Sequence, residues 1–276
     1  MNTLKTLLLM AFLSIILIFL GGAFGGQNGA TIAFIFSLGM NLFSYWFSDK
    51  IVLKMYGAQE VSQNSNLYRI VQRLVINADL PMPKVYLINQ RQPNAFATGR
   101  NPKHAAVACT SGLLEILDEN ELSGVIGHEL AHIKNRDILI GTIASSIAGA
   151  ITYMSNIARW GAIFSGRDDE DNNGGTLVLA IIAPIAAMFV QLSISRTREY
   201  KADEIGSQIS GHPLFLANAL RKLEMWSTNV FMDANPSTAH MFIVNPLKGN
   251  KLASLFSTHP STDDRIKRLE KLSEKY

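Results

Sequence analysis

The sequence has little cysteine and little charge, and each shortage excludes a class of protein. Its one cysteine, Cys109, excludes an intrachain disulfide framework and is consistent with a reducing compartment. Charged residues make up 17% of the 276 residues and hydrophobic residues 48%, whereas soluble domains average about 25% charged. This composition predicts a membrane protein. The net charge of +3 is dispersed along the chain, so nucleic acid is not an expected partner.

Charge is missing altogether from long stretches of the chain. No charged residue occurs from Thr6 to Ser48, and a glycine-rich stretch divides this run into the apolar blocks Thr6–Phe24 and Thr31–Phe47. Two more uncharged windows are Ile138–Ala158 and Asn172–Ser195. Each is close to the roughly 20 residues that cross a bilayer as a helix, so we predict four transmembrane helices. The alternatives are a cleaved signal peptide for the first block and buried or partly inserted helices for the last two.

Most basic residues near the ends of these windows fall on one side of the membrane in a four-helix topology. The other side has an uncharged loop and a loop in which Arg159 and Arg167 stand beside four acidic residues, 168–171. The positive-inside rule then places both termini and the large polar segments in the cytoplasm. We therefore expect an N-terminal transmembrane hairpin in residues 1–48 and a second hairpin in 138–195. The second hairpin would be inserted into a cytoplasmic domain made of 49–137 and 196–276. The basic residues on the predicted cytoplasmic side are Lys5, Lys50, Lys54, Lys134, Arg136, Arg196, Arg198 and Lys201.

The polar segments predict a mainly α-helical fold with a small β-sheet. Apolar residues recur at helical spacing over 67–75. The short runs Val85–Ile88 and Ala105–Cys109 are typical of strands, and residues 94–99 between them predict an edge strand or a turn.

One amphipathic helix contains the residues that point to chemistry. Asp118, with Glu121 three residues later, predicts its start as a capping box. The helix includes His128-Glu129-Leu130-Ala131-His132, whose two imidazoles lie on one face and can bind one Zn²⁺. Glu129 would reach the water that such an ion activates without being a ligand. The alternative is a histidine pair held by ordinary hydrogen bonds.

A catalytic zinc site needs a third protein ligand and an open fourth position. The positions that would hold a further histidine in metzincins are Asn135 and Ile138. A glutamate at the thermolysin spacing would fall within an uncharged window. Asp137, five residues after His132, would lie roughly 140° around a continuing helix, so we do not expect it to complete the site.

The best third ligand follows the last apolar window. Glu199 and Asp203 are four residues apart, so they share one helical face. Two membrane crossings return the chain to the face it left, so this helix end can meet the histidines. We predict that Glu199 binds the metal and that Asp203 accepts a hydrogen bond from a ligating imidazole. The alternative is a solvated charged turn.

Four segments together resemble the HtpX branch of membrane zinc metalloproteases, which are related to the CAAX prenyl proteases. They are His128–His132, Glu199–Asp203, Asn94–Gly99 and Thr258–Ser261. The resemblance covers essentially the whole chain. It implies a zincin-like (gluzincin) cytoplasmic domain with one Zn²⁺ per chain in the bacterial inner membrane, and degradation of damaged or misfolded membrane proteins.

The resemblance also suggests roles for residues outside the metal motif. By resemblance, His259 is a second donor to the oxyanion, although a histidine before a proline is also an ordinary turn residue. Arg265 either pairs with Asp203 or lies on the surface of the last helix. The segment Asn94, Ala95, Phe96 and Ala97 either binds the backbone of a substrate as an added strand or is a plain sheet edge.

Two functions from different classes are consistent with these residues. The first is a zinc endopeptidase that hydrolyses membrane-protein or unfolded polypeptide substrates, with Glu129 as general base. The second is a metal-stabilised, non-catalytic membrane scaffold or chaperone-like binder. An open fourth position and the carboxylate of Glu129 favour catalysis. A transporter would need paired charges within the spans, and the four windows contain none.

Overall fold

The computed structural model describes residues 2–139, 141–143, 196–229, 243 and 260–276. Helices dominate, and they surround a four-stranded mixed sheet, so the predicted mainly α fold with a small sheet is confirmed. The helices are α1 (Asn2–Met55), α2 (Asn66–Ala78), α3 (Ser111–Ile116), α4 (Glu119–Lys134), α5 (Arg196–Ser210), α6 (Pro213–Asn229) and α7 (Thr262–Ser273). The strands are β1 (Gln59–Glu60), β2 (Lys84–Ile88), β3 (Ala95–Gly99) and β4 (Ala105–Thr110).

Helix α1 consists of two arms that fold back on each other. The bend lies at Gly26, whose φ of 58° and ψ of −148° are open to glycine. Between the arms, the Asn41 side chain donates to the Ser14 hydroxyl at 2.8 Å. A Cβ on Gly21 would lie 2.5 Å from the Gly29 carbonyl oxygen, so the two backbones touch beside the bend. Residues of the first two apolar blocks thus form a helical hairpin.

The outer surface of this hairpin is apolar. Large side chains such as Ile15, Phe19 and Ile32 are exposed, and a continuous apolar surface of this kind is unusual in a soluble monomer. Among the described residues, the arm Gly25–Met55 is long and apolar enough to cross a membrane, and Met10–Phe19 is a shorter apolar helix. Most of the second predicted hairpin lies outside the described residues.

The sheet is covered on both faces. Its strand order is β1-β2-β4-β3; β2 and β4 are parallel, and the other two pairs are antiparallel. On one face, Val85, Val107 and Cys109 belong to the main core with α2 and α4. On the other face, Phe96 packs with Val52 from the end of α1. The central strand β4 is therefore buried along its whole length, and the strand β3 lies at an edge.

Helix α4 is the centre of the domain. It begins with the predicted capping box, in which Asp118 and Glu121 each accept from the other's backbone N–H, so this prediction is confirmed. The backbones of α5 and α4 lie in contact: a Cβ on Gly206 would be 2.7 Å from the backbone nitrogen of His128. Gly124 of α4 is similarly tight against Leu216 of α6. Small residues thus bring α5 close to the histidine-bearing face of α4.

We predict that Gly206→Ala destabilises the protein because its Cβ would meet the α4 backbone. Overpacking of this kind costs about 1–3 kcal/mol, so the thermal unfolding midpoint in detergent should fall. Gly39→Ala is the matched control, since a Cβ at Gly39 meets nothing within 4 Å. Equal midpoints for the two variants would contradict the close helix contact.

Candidate metal centre

Three side chains from two helices converge on one point. His128 Nε2 lies 3.2 Å from His132 Nε2. Glu199 approaches from α5, with its two carboxylate oxygens 3.6 Å from His128 Nε2 and 3.5 Å from His132 Nε2. One donor atom from each residue lies within 4.8 Å of the others. The structure therefore brings together the three residues that the sequence predicts as metal ligands.

The spacing and charge of this group fit a divalent cation. Two nitrogens bound to one tetrahedral Zn²⁺ at 2.0–2.1 Å lie about 3.3 Å apart, close to the 3.2 Å between the two imidazoles. Four buried carboxylates, including that of Glu199 itself, and one buried guanidinium lie in or near the group in the described part of the chain, so negative charge is in excess. They are Glu129, Asp137, Glu199, Asp203 and Arg265.

The outer nitrogen of His128 is held by a carboxylate. His128 Nδ1 lies 2.9 Å from Asp203 Oδ1, so Nδ1 donates its proton there and Nε2 faces Glu199 and His132. Burial and the charge of Arg265 lower the pKa of His128, but the hydrogen bond with Asp203 and the nearby carboxylate of Glu199 outweigh them and raise it to about 9. The imidazole therefore carries a proton on Nε2 at neutral pH, which a metal ion must replace.

Arg265 is the partner of Asp203. Its Nη2 and Nε donate to the two carboxylate oxygens at 2.6 and 3.0 Å, a two-point pairing that fixes both groups. Burial alone would raise the pKa of Asp203, but Arg265 and His128 lower it to about 2. Arg265 is only 1% exposed. Of the two interpretations that the sequence left open for Arg265, the structure has the pair rather than a surface position.

Glu129 follows His128 in α4, and its buried side chain faces the sheet. Its Oε2 accepts a hydrogen bond from the Ala97 backbone N–H at 2.8 Å. That N–H points outward from β3, away from β4. The edge strand thus orients the Glu129 carboxylate, a contact that nothing in the sequence marked.

The predicted substrate segment is only partly a strand edge. Asn94 precedes β3, and its side chain accepts from the Ile243 N–H at 3.3 Å. Ala95 and Phe96 are buried, and Ala97 is half-buried. Within this segment, Ala97 is therefore the residue whose backbone contacts Glu129 and which keeps some exposure.

Asp137 contacts the site in a way that its spacing did not predict. Helix α4 ends at Lys134, and Arg136 has a left-handed φ of 57° that turns the chain back. The Asp137 Oδ2 atom consequently lies 3.4 Å from His132 Nδ1. The predicted 140° separation assumed a continuing helix and is wrong. Asp137 is outside the converging group of three, as expected.

His259 lies outside the described residues. The described chain resumes at Pro260, and the Ser261 hydroxyl caps α7 by accepting from the Asp264 N–H at 3.1 Å. Arg265 follows on the first turn of this helix.

We predict that metal binding releases about one proton from His128 at pH 7. Its pKa of about 9 is above the ambient pH, so affinity should rise with pH until His128 is neutral. Calorimetric titration of Zn²⁺ into metal-free protein, in two buffers of different ionisation enthalpy, measures the released protons. Buffer-independent heats would show that no proton is released and would contradict this account.

Comparisons with known proteins identify the family. Residues 61–273 match the family model for Peptidase family M48. A protease HtpX homolog from Thermodesulfovibrio yellowstonii is 60% identical to this chain, and 100% of both chains is covered. The homolog from Syntrophotalea carbinolica is 56% identical over 99% of each chain. The homolog from Burkholderia cenocepacia is 51% identical over 99% of this chain and 97% of its own.

A solved structure has the same overall fold. The crystal structure of S. mikatae Ste24p matches with a TM-score of 0.51 at 16% identity, over 98% of this chain. This chain spans 65% of the length of that protein, and at this identity the likeness shows the fold alone. The family model and the full-length relatives carry the assignment: the chain belongs to the HtpX proteases of peptidase family M48 and is a metallopeptidase.

Proposed function

We propose that the protein is a zinc-dependent endopeptidase whose single Zn²⁺ is held by His128, His132 and Glu199. The observation that carries this proposal is the convergence of their donor atoms within 4.8 Å, with the carboxylate of Glu129 beside them. Two imidazoles and one carboxylate are a ligand set typical of catalytic zinc. A zinc ion bound there would lower the pKa of water to about 7 and polarise the scissile carbonyl.

Glu129 is the group that moves the proton. It follows His128 directly in α4, and its carboxylate is oriented by the Ala97 N–H. In the proposed reaction this carboxylate takes a proton from the attacking water and returns it to the leaving amine. The other Glu129 oxygen, Oε1, is the natural proton acceptor, because Oε2 already holds the Ala97 hydrogen bond.

A structural role for the metal has less support. Structural zinc sites are closed by four protein ligands, whereas the group in the described part of the chain has three. A closed structural site would also have no use for a fourth buried carboxylate at Glu129. These two features favour catalysis over the scaffold or chaperone-like alternative.

The N-terminal hairpin supports a membrane location and membrane-protein substrates. Its end packs directly on the sheet through Val52, and Arg100 stacks on Trp46 at 4.5 Å. The metal centre would therefore lie close to the bilayer surface, on the cytoplasmic side by the positive-inside rule. In this proposal the chain crosses the inner membrane four times, and its zincin-like domain cleaves damaged or misfolded membrane proteins.

Two further roles belong to the same proposal. A substrate backbone would lie along β3 and donate to the Ala97 carbonyl, as in binding by strand addition. His259, two residues before the Ser261 cap of α7, would donate to the oxyanion, a contribution that is typically worth about 3 kcal/mol in acyl transfer.

We predict that Glu129→Gln abolishes most proteolysis without removing the metal. The amide keeps the size of the side chain but cannot accept the proton, so the cleavage rate of casein should fall about 10²–10⁴-fold. Bound zinc, measured by atomic absorption, should stay at one per chain. Wild-type cleavage with unchanged zinc would rule out the protease mechanism proposed here.

Glu199→Ala should lose the metal itself. Removing a ligand should weaken zinc binding by more than the 10–100-fold typical of an outer hydrogen-bond partner, and activity should fall with zinc content. Glu204→Ala is the matched control, because Glu204 is an exposed acid on the same helix. If Glu199→Ala retains zinc as well as Glu204→Ala does, Glu199 is not a ligand.

A further inference from the structure

The two histidines of the metal centre have the same surroundings in one respect. Each Nε2 atom faces the shared centre, and each Nδ1 atom faces a buried carboxylate. For His128 that carboxylate is Asp203, at 2.9 Å. For His132 it is Asp137, at 3.4 Å. The second contact is the longer of the two and therefore the weaker.

The end of helix α4 fixes the place of Asp137. The Arg136 N–H donates to the Ile133 carbonyl at 3.1 Å, and the Asp137 N–H donates to the His132 carbonyl at 2.9 Å. Together with the left-handed Arg136, these two bonds form a Schellman motif. The motif ties the Asp137 backbone to His132, the residue whose side chain its carboxylate contacts.

The chain after Asp137 is anchored as well. The Thr142 hydroxyl donates to the Ile138 carbonyl at 2.7 Å. The same hydroxyl accepts from the Gly99 N–H of β3 at 3.2 Å and lies 3.0 Å from the Thr98 hydroxyl. Leu139 packs in a small apolar cluster with Met10 of the N-terminal hairpin. Asp137 is thus held between the cap of α4 and a segment fixed to the sheet.

Burying the Asp137 carboxylate costs free energy unless the group has a hydrogen-bond or charge partner. Its side chain is 7% exposed and that of His132 is 15% exposed. A buried carboxylate requires hydrogen bonds or an opposite charge to offset the loss of hydration. The imidazole of His132 supplies one such partner, and its Nδ1–H is then fixed on the side of Asp137.

We propose that Asp137 is a positioning residue for the metal centre, one that holds His132 with its proton on Nδ1 and its Nε2 lone pair aimed at the metal. This inference rests on the proposed zinc site. A carboxylate behind a ligating histidine fixes the ring and raises its basicity, and losing such a partner typically weakens metal binding 10–100-fold. Asp137→Asn keeps the shape of the side chain and its capping backbone but removes the negative charge.

The test compares zinc dissociation constants, measured by competition with a chromophoric chelator, for the full-length protein in detergent. We expect Asp137→Asn to bind Zn²⁺ 10–100-fold more weakly than wild type. Asp137→Glu, which restores the carboxylate, should recover part of that loss. Asp79→Asn is the matched control, because it makes the same chemical change at an exposed, left-handed helix end and should leave the constant unchanged.

A second readout separates positioning from folding. The thermal midpoint of each metal-free variant should stay close to that of metal-free wild type. An unchanged zinc constant for Asp137→Asn would overturn the proposal. A metal-free midpoint that falls, with no recovery of affinity in Asp137→Glu, would show a purely structural role and overturn it too. Failure of the wild-type protein to bind zinc would instead refute the proposed function.

Discussion

The contact between helices α4 and α5 is the constraint on which the rest of the structure depends. Gly127 and Gly206 let the two backbones touch, because a side chain at either position would push the helices apart. With the backbones this close, the Glu199 carboxylate of α5 lies 3.5–3.6 Å from both Nε2 atoms of α4. Residues about 70 positions apart in the chain thereby converge on one candidate metal site.

Around this site, the buried charged side chains are held by hydrogen-bond and ion-pair partners. Arg265 neutralises Asp203, which in turn holds the outer nitrogen of His128, and the last helix is thereby connected to the metal centre. On the opposite side, the edge strand orients Glu129 through a backbone N–H. One backbone amide of β3 thus orients the carboxylate to which we assign the proton transfer. A cation among the inner groups would offset the remaining negative charge, as is expected of a site that binds a divalent metal.

Much of the site could be predicted because its residues follow helical spacing. His128 and His132 lie one turn apart, and Glu199 followed from the return of the chain to the same membrane face. The contact between Asp137 and His132 could not be predicted. The left-handed residue that ends α4 is Arg136, and not the glycine or asparagine that usually marks such an end. The hydrogen bond between the Ala97 N–H and Glu129 depends on tertiary packing, which a local sequence pattern does not contain. The same holds for the pairing of Arg265 with Asp203, which the sequence left as one of two alternatives. Strand β1 could not be predicted either, because two residues are too few to show the alternation of apolar and polar residues that is typical of a strand.

The central claim is that one metal ion is bound jointly by α4 and α5. Diffraction data collected at the zinc absorption edge from crystals of the zinc-loaded protein test it most directly. We expect one anomalous peak per chain, within about 2.0–2.2 Å of His128 Nε2, His132 Nε2 and a Glu199 oxygen. A peak bound by the histidines without Glu199, or no peak between the two helices, would contradict it.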